Sequence, residues 1–290
     1  MNTARQWSGS PLSLAVWGLV VELTHRVLNR DMVVPLNYAW ITGAPWVAKR
    51  HGFRLIKPPE GNVNHPAFVE QIRLELQPSF ALVFGSLQIF KPPLIASIER
   101  IVNYHNGLVP HYRGLSATGW SLYRGEERTG FTFHDMVAGI DKGPIVLQGS
   151  VPVLPGVSVR RHDYYKTALA AASIPAVLAH LVDGESPTPQ ESSGSYFSAA
   201  ARTAITTVEE PRSHSEAELR RRLQAFGTLS ISLEGGSLPV TSLRSVPSTA
   251  SRLCFRTADG SQLQATRLAY LPPRVYSAVR SLRRWIPSWP

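Results

Sequence analysis

Short apolar runs alternate with helix-period segments through the first hundred residues, and this alternation constrains the fold more than any other feature of the chain. Residues 13–18 (SLAVWG) read as a buried strand ending in a glycine turn. Residues 20–30 place Val20, Leu23, Val27 and Leu28 at helical spacing. Strands are predicted at 32–38, 53–56, 80–85 (FALVFG) and 100–105, with a short helix at 46–51 and a helical turn at 93–98. An amphipathic helix over 65–76 carries Phe68, Ile72 and Leu76 on one side. Strands alternating with helices imply an α/β fold with a doubly wound, mostly parallel sheet. Ligands of such sheets bind beyond the carboxyl ends of the strands, and the 100–105 strand ends in Asn103-Tyr104-His105.

Further along, 130–136 and 144–153 read as two strands flanking a turn at Gly139-Ile140-Asp141-Lys142-Gly143, consistent with a hairpin. An Ala-rich helix over 164–182 covers the sheet, with Pro175 as a site of kinking or interruption. The Ser/Pro/Gly-rich residues 184–194 read as a linker. After it come a helix at 215–226 and short strands at 229–233, 238–243, 253–256 and 263–266, with turn signals at Gly235-Gly236 and Asp259-Gly260. The expected organisation is a frayed terminus over 1–10, a catalytic domain over 11–195 and a small β-rich α+β domain over 196–290. That last domain ends in a basic, amphipathic stretch at 275–286.

Composition supplies bounds rather than a function. At 290 residues and 43% hydrophobic, the chain has enough apolar mass for a sizeable core. The single cysteine, Cys254, excludes an internal disulfide framework and any multi-cysteine metal site, and points to a reducing, cytoplasmic setting. No metal site is expected. The longest apolar run, 11–23, falls short of the roughly 18 residues of a membrane span, and Glu22 with the polar residues after it argues against a signal peptide, so no membrane partner is expected. The net charge of +10 is carried mainly by arginine, 13 of them after residue 200. That surplus fits nucleic acid or acidic substrates, and equally a soluble surface with scattered arginines, since no dense aromatic-plus-basic stripe accompanies it.

Residues i and i+2 of a strand face the same way. Asn103 and His105 therefore share a face, opposite Tyr104. A carboxamide and an imidazole aimed at one point can stabilise an oxygen that gains charge. A carboxylate at Asp141, on a nearby loop, can hold the imidazole or relay a proton. No Ser, Thr or Cys sits in a nucleophile elbow, so direct attack on an activated acyl carbon is expected rather than a covalent acyl-enzyme.

The block around these residues resembles the folate-dependent formyltransferase family. The resemblance rests on Asn103-Tyr104-His105, on Gly107-Leu108-Val109-Pro110-His111-Tyr112-Arg113-Gly114, on Gly125-Glu126 with Thr129-Gly130-Phe131-Thr132, and on Asp141-Lys142-Gly143, and extends over about residues 12 to 195. It implies a Rossmann-like formyltransferase fold and 10-formyltetrahydrofolate as co-substrate. It also implies that Asn103 and His105 stabilise the tetrahedral intermediate, while Asp141 keeps His105 charged and assists deprotonation of the amine. The folate would lie along Ser86, Leu87, Gln88 and Ile89 and the loop containing Val137, Gly139 and Ile140. His134 lies close to the site in this alignment and reads equally as a plain strand residue. Gly107 follows the sugar- and peptide-modifying members and makes the Asn106-Gly107 bend freer. The basic insertion of the methionyl-tRNA members is missing from the short 39–54 stretch. The expected acceptor is accordingly an aminosugar nucleotide or an amino-acid or peptide amine, small or carrier-bound. The Arg-rich C-terminal region keeps tRNA open, and a formyltetrahydrofolate hydrolase is the alternative that uses water in place of the amine.

Overall fold

A computed structural model describes residues 30–33, 52, 54, 56–86, 88–191, 193–234, 236–247 and 253–270. The elements predicted over 13–18, 20–29, 34–38 and 46–51, and the basic stretch 275–286, lie outside the described residues, and of 53–56 only Arg54 and Ile56 are described. In chain order the described elements begin with strand β1 (Arg30–Val33), helix α1 (Pro66–Gln71), continued by a π-type turn (Ile72–Leu76), and β2 (Phe80–Phe84). They continue with α2 (Pro92–Ile95), β3 (Arg100–His105), β4 (Arg113–Gly114), α3 (Ala117–Arg124), β5 (Arg128–Asp135) and β6 (Ile145–Pro152). Next come α4 (Val159–Val182), β7 (Tyr196–Phe197), α5 (Ala199–Thr206), β8 (Thr207–Val208) and α6 (Glu216–Phe226). Last come β9 (Leu229–Leu233), β10 (Gly236–Ser245), β11 (Cys254–Arg256) and β12 (Gln262–Tyr270).

The chain divides into two compact units, one of Lys57–Val208 with Ala217–Leu229, the other of Met1–Ile56, Glu209–Glu216 and Ser230–Pro290. The first is an α/β unit built on a sheet of order β2-β3-β5-β6. β2 and β3 run parallel, with Phe84 opposite Tyr104, so both strands end on the same side. β5 lies antiparallel to β3, and β6 antiparallel to β5 as the expected hairpin. The even residues of β3 and the odd ones of β5 supply the core: Val102, Phe131 and Phe133 are fully buried, and Tyr104 packs with them. Helix α4 closes this face with Ala170 and Val177 and runs through Pro175 without interruption. Over an 18-residue window of mean hydropathy 1.3, α4 is by length and composition apolar enough to cross a membrane, yet it buries His162 and Lys166 within the unit.

A second cluster joins α3 to α6. Leu122, Ala225 and Phe226 pack together with Trp120 and Tyr123, and a Cβ on Gly119 would lie 2.7 Å from the Ala225 carbonyl. The short parallel pair β4–β7 stacks Tyr112, Trp120 and Phe197. The other unit is β-rich: β12 pairs with β1 in parallel and with β10 and β11 antiparallel, and β9 follows β10. Ile231, Val240, Leu263 and Ala265 are among its buried residues. Strands therefore form where the C-terminal sequence pattern placed them.

Candidate active site

The site grows from the end of β3. Val102 and Tyr104 face the α4 core, so Asn103 and His105 face the opposite side, as a pleated strand requires. The antiparallel register sets Asn103 opposite His134 and His105 opposite Thr132. Cross-strand partners on one face lie within side-chain reach, and Asn103 Nδ2 is 3.2 Å from His134 Nε2. Asp141 then bridges the two rings. Its Oδ2 lies 3.3 Å from His105 Nδ1 and its Oδ1 3.4 Å from His134 Nε2. Asn103, His105 and Asp141 are thus brought together, and His134 joins them as a fourth member.

Asp141 reaches this position from a tight turn. Its own φ is +52°, in the left-handed region that Asp and Asn tolerate better than most residues. Two residues on, a Cβ at Gly143 would fall 1.6 Å from the Asp135 carbonyl oxygen, so only glycine fits there. The Gly114 N–H donates to Asp141 Oδ2 at 2.8 Å. From the other side the Gln190 amide donates to the backbone carbonyls of Asp141 (2.9 Å) and Gly143 (2.6 Å), while Arg113 donates through Nε and Nη2 to Gln190 Oε1. Gln190, in the stretch read from composition as a linker, therefore braces the Asp141 turn. The backbone of that stretch also pairs with Ile145 through Thr188. Serine, proline and glycine suit any chain without regular structure, ordered or not, and composition does not separate the two.

The hydrogen-bond partners fix how the rings carry protons. His105 Nε2 is 2.6 Å from the Tyr112 carbonyl and His134 Nδ1 2.9 Å from the Asp135 carbonyl. Carbonyls only accept, so both nitrogens carry N–H. The remaining nitrogen of each ring faces Asp141. Burial pushes the His105 imidazole below its ordinary value; the Asp141 carboxylate and the Tyr112 carbonyl oppose that fall, and the His134 and Lys166 charges add to it. Asp141 thus acts on His105 in the charge-holding sense, against a larger opposing effect of burial. Burial alone would raise Asp141, but the bond from His134, the charge of His105 and the Gly114 N–H hold it below the usual carboxylate range.

The segment after His105 is held closely. At Gly107 a Cβ would meet Ala117 Cβ at 2.5 Å, the Tyr112 carbonyl at 2.7 Å and His105 Nε2 at 2.8 Å. The glycine is there for close approach, not for the freer bending inferred from sequence. Thr132 donates to the Gly107 carbonyl at 2.7 Å, and the Gln148 amide to the Val109 carbonyl at 2.7 Å. Beside His105 opens a cavity of about 360 Å³, lined among others by Asn106, Thr118, Arg160, Asp163 and Arg202.

The expected folate-contacting residues fall in two places. Val137, Gly139 and Ile140 precede Asp141 in its turn, with Val137 and Ile140 each 40% exposed. Ser86, Gln88 and Ile89 follow β2; Leu87 lies outside the described residues. This segment is anchored to the 61–64 loop: Gln88 Nε2 donates to the Gly61 carbonyl at 2.7 Å, the Val63 N–H to Gln88 Oε1, and Asn64 Nδ2 to the Ile89 carbonyl at 2.9 Å. Its parallel strand β2 ends beside the end of β3, which places it at the same carboxyl edge of the sheet as Asn103. Gln190 is the residue sequence reasoning missed, and His134, read as near the site or equally as a plain strand residue, stands beside Asn103 and Asp141. The alternation Phe131-x-Phe133 was the available signal for His134, since it sends Thr132 and His134 to the face of Asn103 once the hairpin register is known.

Residues 56–177 match the sequence model of the formyl transferase family. A methionyl-tRNA formyltransferase of Trichlorobacter lovleyi is 36% identical over 119 residues, which are 40% of this chain and 37% of that protein. The chain thus spans little more than a third of the length of that curated relative. Among solved structures, a sugar N-formyltransferase from a Shewanella species superposes with a TM-score of 0.57 at 21% identity, covering 80% of this chain and 92% of that one. HypX from Aquifex aeolicus, solved with tetrahydrofolic acid, gives 0.58 at 13% identity over 80% and 43%. At these identities the structures speak to the fold, and it is the same fold. The stretch that carries Asn103, His105, His134 and Asp141 is the part of the chain that is similar to the formyl transferase family.

Proposed function

We propose that this chain is an N-formyltransferase that moves the formyl group of 10-formyltetrahydrofolate onto a primary amine. The observation that carries the reading is the convergence of Asn103, His134, Asp141 and His105 at the end of β3. The amine nitrogen attacks the formyl carbon, the new N–C bond forms, and the carbonyl oxygen takes up negative charge. Asn103 uses one N–H toward His134 and keeps the second for that oxygen. The amine sheds a proton as the bond to the folate N10 breaks, and N10 needs one. The His105–Asp141 contact supplies a path for that proton. The exposed apolar pair Val137 and Ile140, with Gly139 between them, suits the flat face of the pterin, and Ser86, Gln88 and Ile89 would supply the other side.

The cavity beside His105 is sized for a small or carrier-bound amine, such as an aminosugar nucleotide or an amino-acid amine of a biosynthetic pathway, in a cytoplasmic setting. Initiator tRNA is the second acceptor, favoured by the 36% identity to a methionyl-tRNA formyltransferase and by the arginines after residue 200. A formyl-transfer assay with 10-formyltetrahydrofolate and panels of aminosugar nucleotides, aminoacyl amines and charged tRNA tests the reading. Transfer to a small amine is the expected result. Transfer only to charged tRNA reverses the choice of acceptor, folate release without an amine identifies a hydrolase, and no turnover with any of them refutes the proposal.

A further inference from the structure

Lys166 is fully buried on α4, and its surroundings are unusual for a lysine. Nζ lies 2.9 Å from the Asn106 carbonyl, 2.5 Å from Thr118 Oγ1 and 3.5 Å from Thr129 Oγ1, with Asp163 Oδ1 at 3.9 Å. The carbonyl and the carboxylate only accept. The Thr118 hydroxyl donates to Asp163 Oδ1 at 2.5 Å, so toward Lys166 it accepts. Thr129 Oγ1 accepts from the Ser121 hydroxyl and from Lys166. Every neighbour of Nζ is therefore an acceptor, and three N–H donors meet three hydrogen-bond acceptors. The cage selects the ammonium even though burial draws the lysine down to about 7. Its titratable neighbours are Asp163 on its own helix and His105, which feels its charge from β3. Asp163 also accepts from Asn106 Nδ2 at 2.7 Å, so the residue after His105 is gripped by its backbone and by its side chain.

We propose that Lys166 is a positioning residue for the transfer site: its ammonium ties α4 to the backbone that leaves His105 and fixes the edge of the cavity beside the imidazole. The proposal rests on His105 belonging to that site. A misplacement of about 1 Å far from the chemistry lowers turnover on the order of 100-fold.

The test is Lys166→Met in the full chain, which keeps the length and removes the charge. The expected result is a folded protein with kcat about 100-fold lower and KM for the formyl donor within about threefold. Because the ammonium pushes His105 down, the His105 imidazole should titrate at higher pH in the variant, followed by NMR. A folded K166M with kcat near wild type, or with an unshifted His105 titration, overturns the proposal. If K166M does not fold, Thr118→Val carries the test by removing one acceptor and keeping the lysine. About a tenfold lower kcat supports the clamp, and an unchanged kcat refutes it. Absence of formyl transfer in the wild type would defeat the functional reading alone, and the His105 titration would still decide the clamp.

Discussion

Asp141→Asn is the most informative single change because it alters charge and little else. Asparagine adopts the left-handed backbone region almost as readily as aspartate, so the φ of +52° is retained. Its Oδ1 can still accept from the Gly114 N–H. What disappears is the negative charge facing His105 Nδ1 at 3.3 Å and His134 Nε2 at 3.4 Å. An amide N–H2 now faces one of those rings and cannot take a proton from either. Loss of a positioned general acid–base group costs about 10²- to 10⁴-fold, or roughly 3–5 kcal/mol of barrier. A kcat about 10³-fold lower, with KM for the folate donor little changed, is the expected result in a formyl-transfer assay. Asp141 raises His105 in the wild type, so the variant should titrate His105 at still lower pH. The stability effect has its own sign. The folded carboxylate is depressed, so it contributes stability above its ordinary range near 3.8 that is lost as the pH falls through the folded value. The variant should therefore lack the part of acid denaturation that begins below about pH 4. A folded D141N with kcat within about threefold of wild type would refute the proton-transfer role.

Gly107→Ala forces a methyl against Ala117, the Tyr112 carbonyl and His105 Nε2; a loss of about 1–3 kcal/mol in urea melts is expected, with turnover falling as the imidazole is displaced. Gln190→Leu removes the donors to the Asp141 and Gly143 carbonyls and leaves Arg113 without its amide partner. It should cost about 1–3 kcal/mol and lower kcat, and an unaltered kcat would show that the turn holds Asp141 without the brace. The buried Lys166 gives a pH signature in wild-type stability: its folded value is drawn down to about 7 from 10.5, so between those values the unfolded chain binds the extra proton and stability rises with pH. The full rise is on the order of 4–5 kcal/mol. Urea melts at pH 7 and 9 should separate by part of it in wild type and not in K166M.

The alternation of strands and helices located β2, β3, the β5–β6 hairpin and the C-terminal strands, because period-two and period-3.6 patterns are local properties. The shared face of Asn103 and His105 was legible for the same reason. The place of Asp141 was legible only in outline: its turn was apparent, but its contact with two rings depends on the register between β3 and β5, which no local pattern specifies. His134 illustrates the gap. Its residue type and parity were visible, and its partner across the ladder was not. The bracing role of Gln190 was invisible, since it comes from a segment about fifty residues away whose composition reads as an unstructured connection. Lys166 was hidden by the opposite effect. A lysine on a predicted helix is ordinarily solvated, and only the packing of α3, α4 and β5 around it makes it interior.

The arrangement of partners limits what the site can do with protons. Two rings each spend one N–H on a backbone carbonyl, His105 on Tyr112 and His134 on Asp135. Each has one nitrogen left: that of His105 faces the Asp141 carboxylate at 3.3 Å, and that of His134 lies 3.2 Å from the Asn103 amide nitrogen and 3.4 Å from the same carboxylate. A single negative charge neutralises one imidazolium, and a second would be a buried, unpaired cation at several kcal/mol. The Lys166 charge, which acts on His105 in the same sense, adds to that penalty. In the proposed mechanism the proton travels through the His105–Asp141 contact. That pair can accept the proton that the attacking amine releases and return it to the leaving nitrogen without carrying a net charge out of the site, which is the balance that formyl transfer between two nitrogens requires.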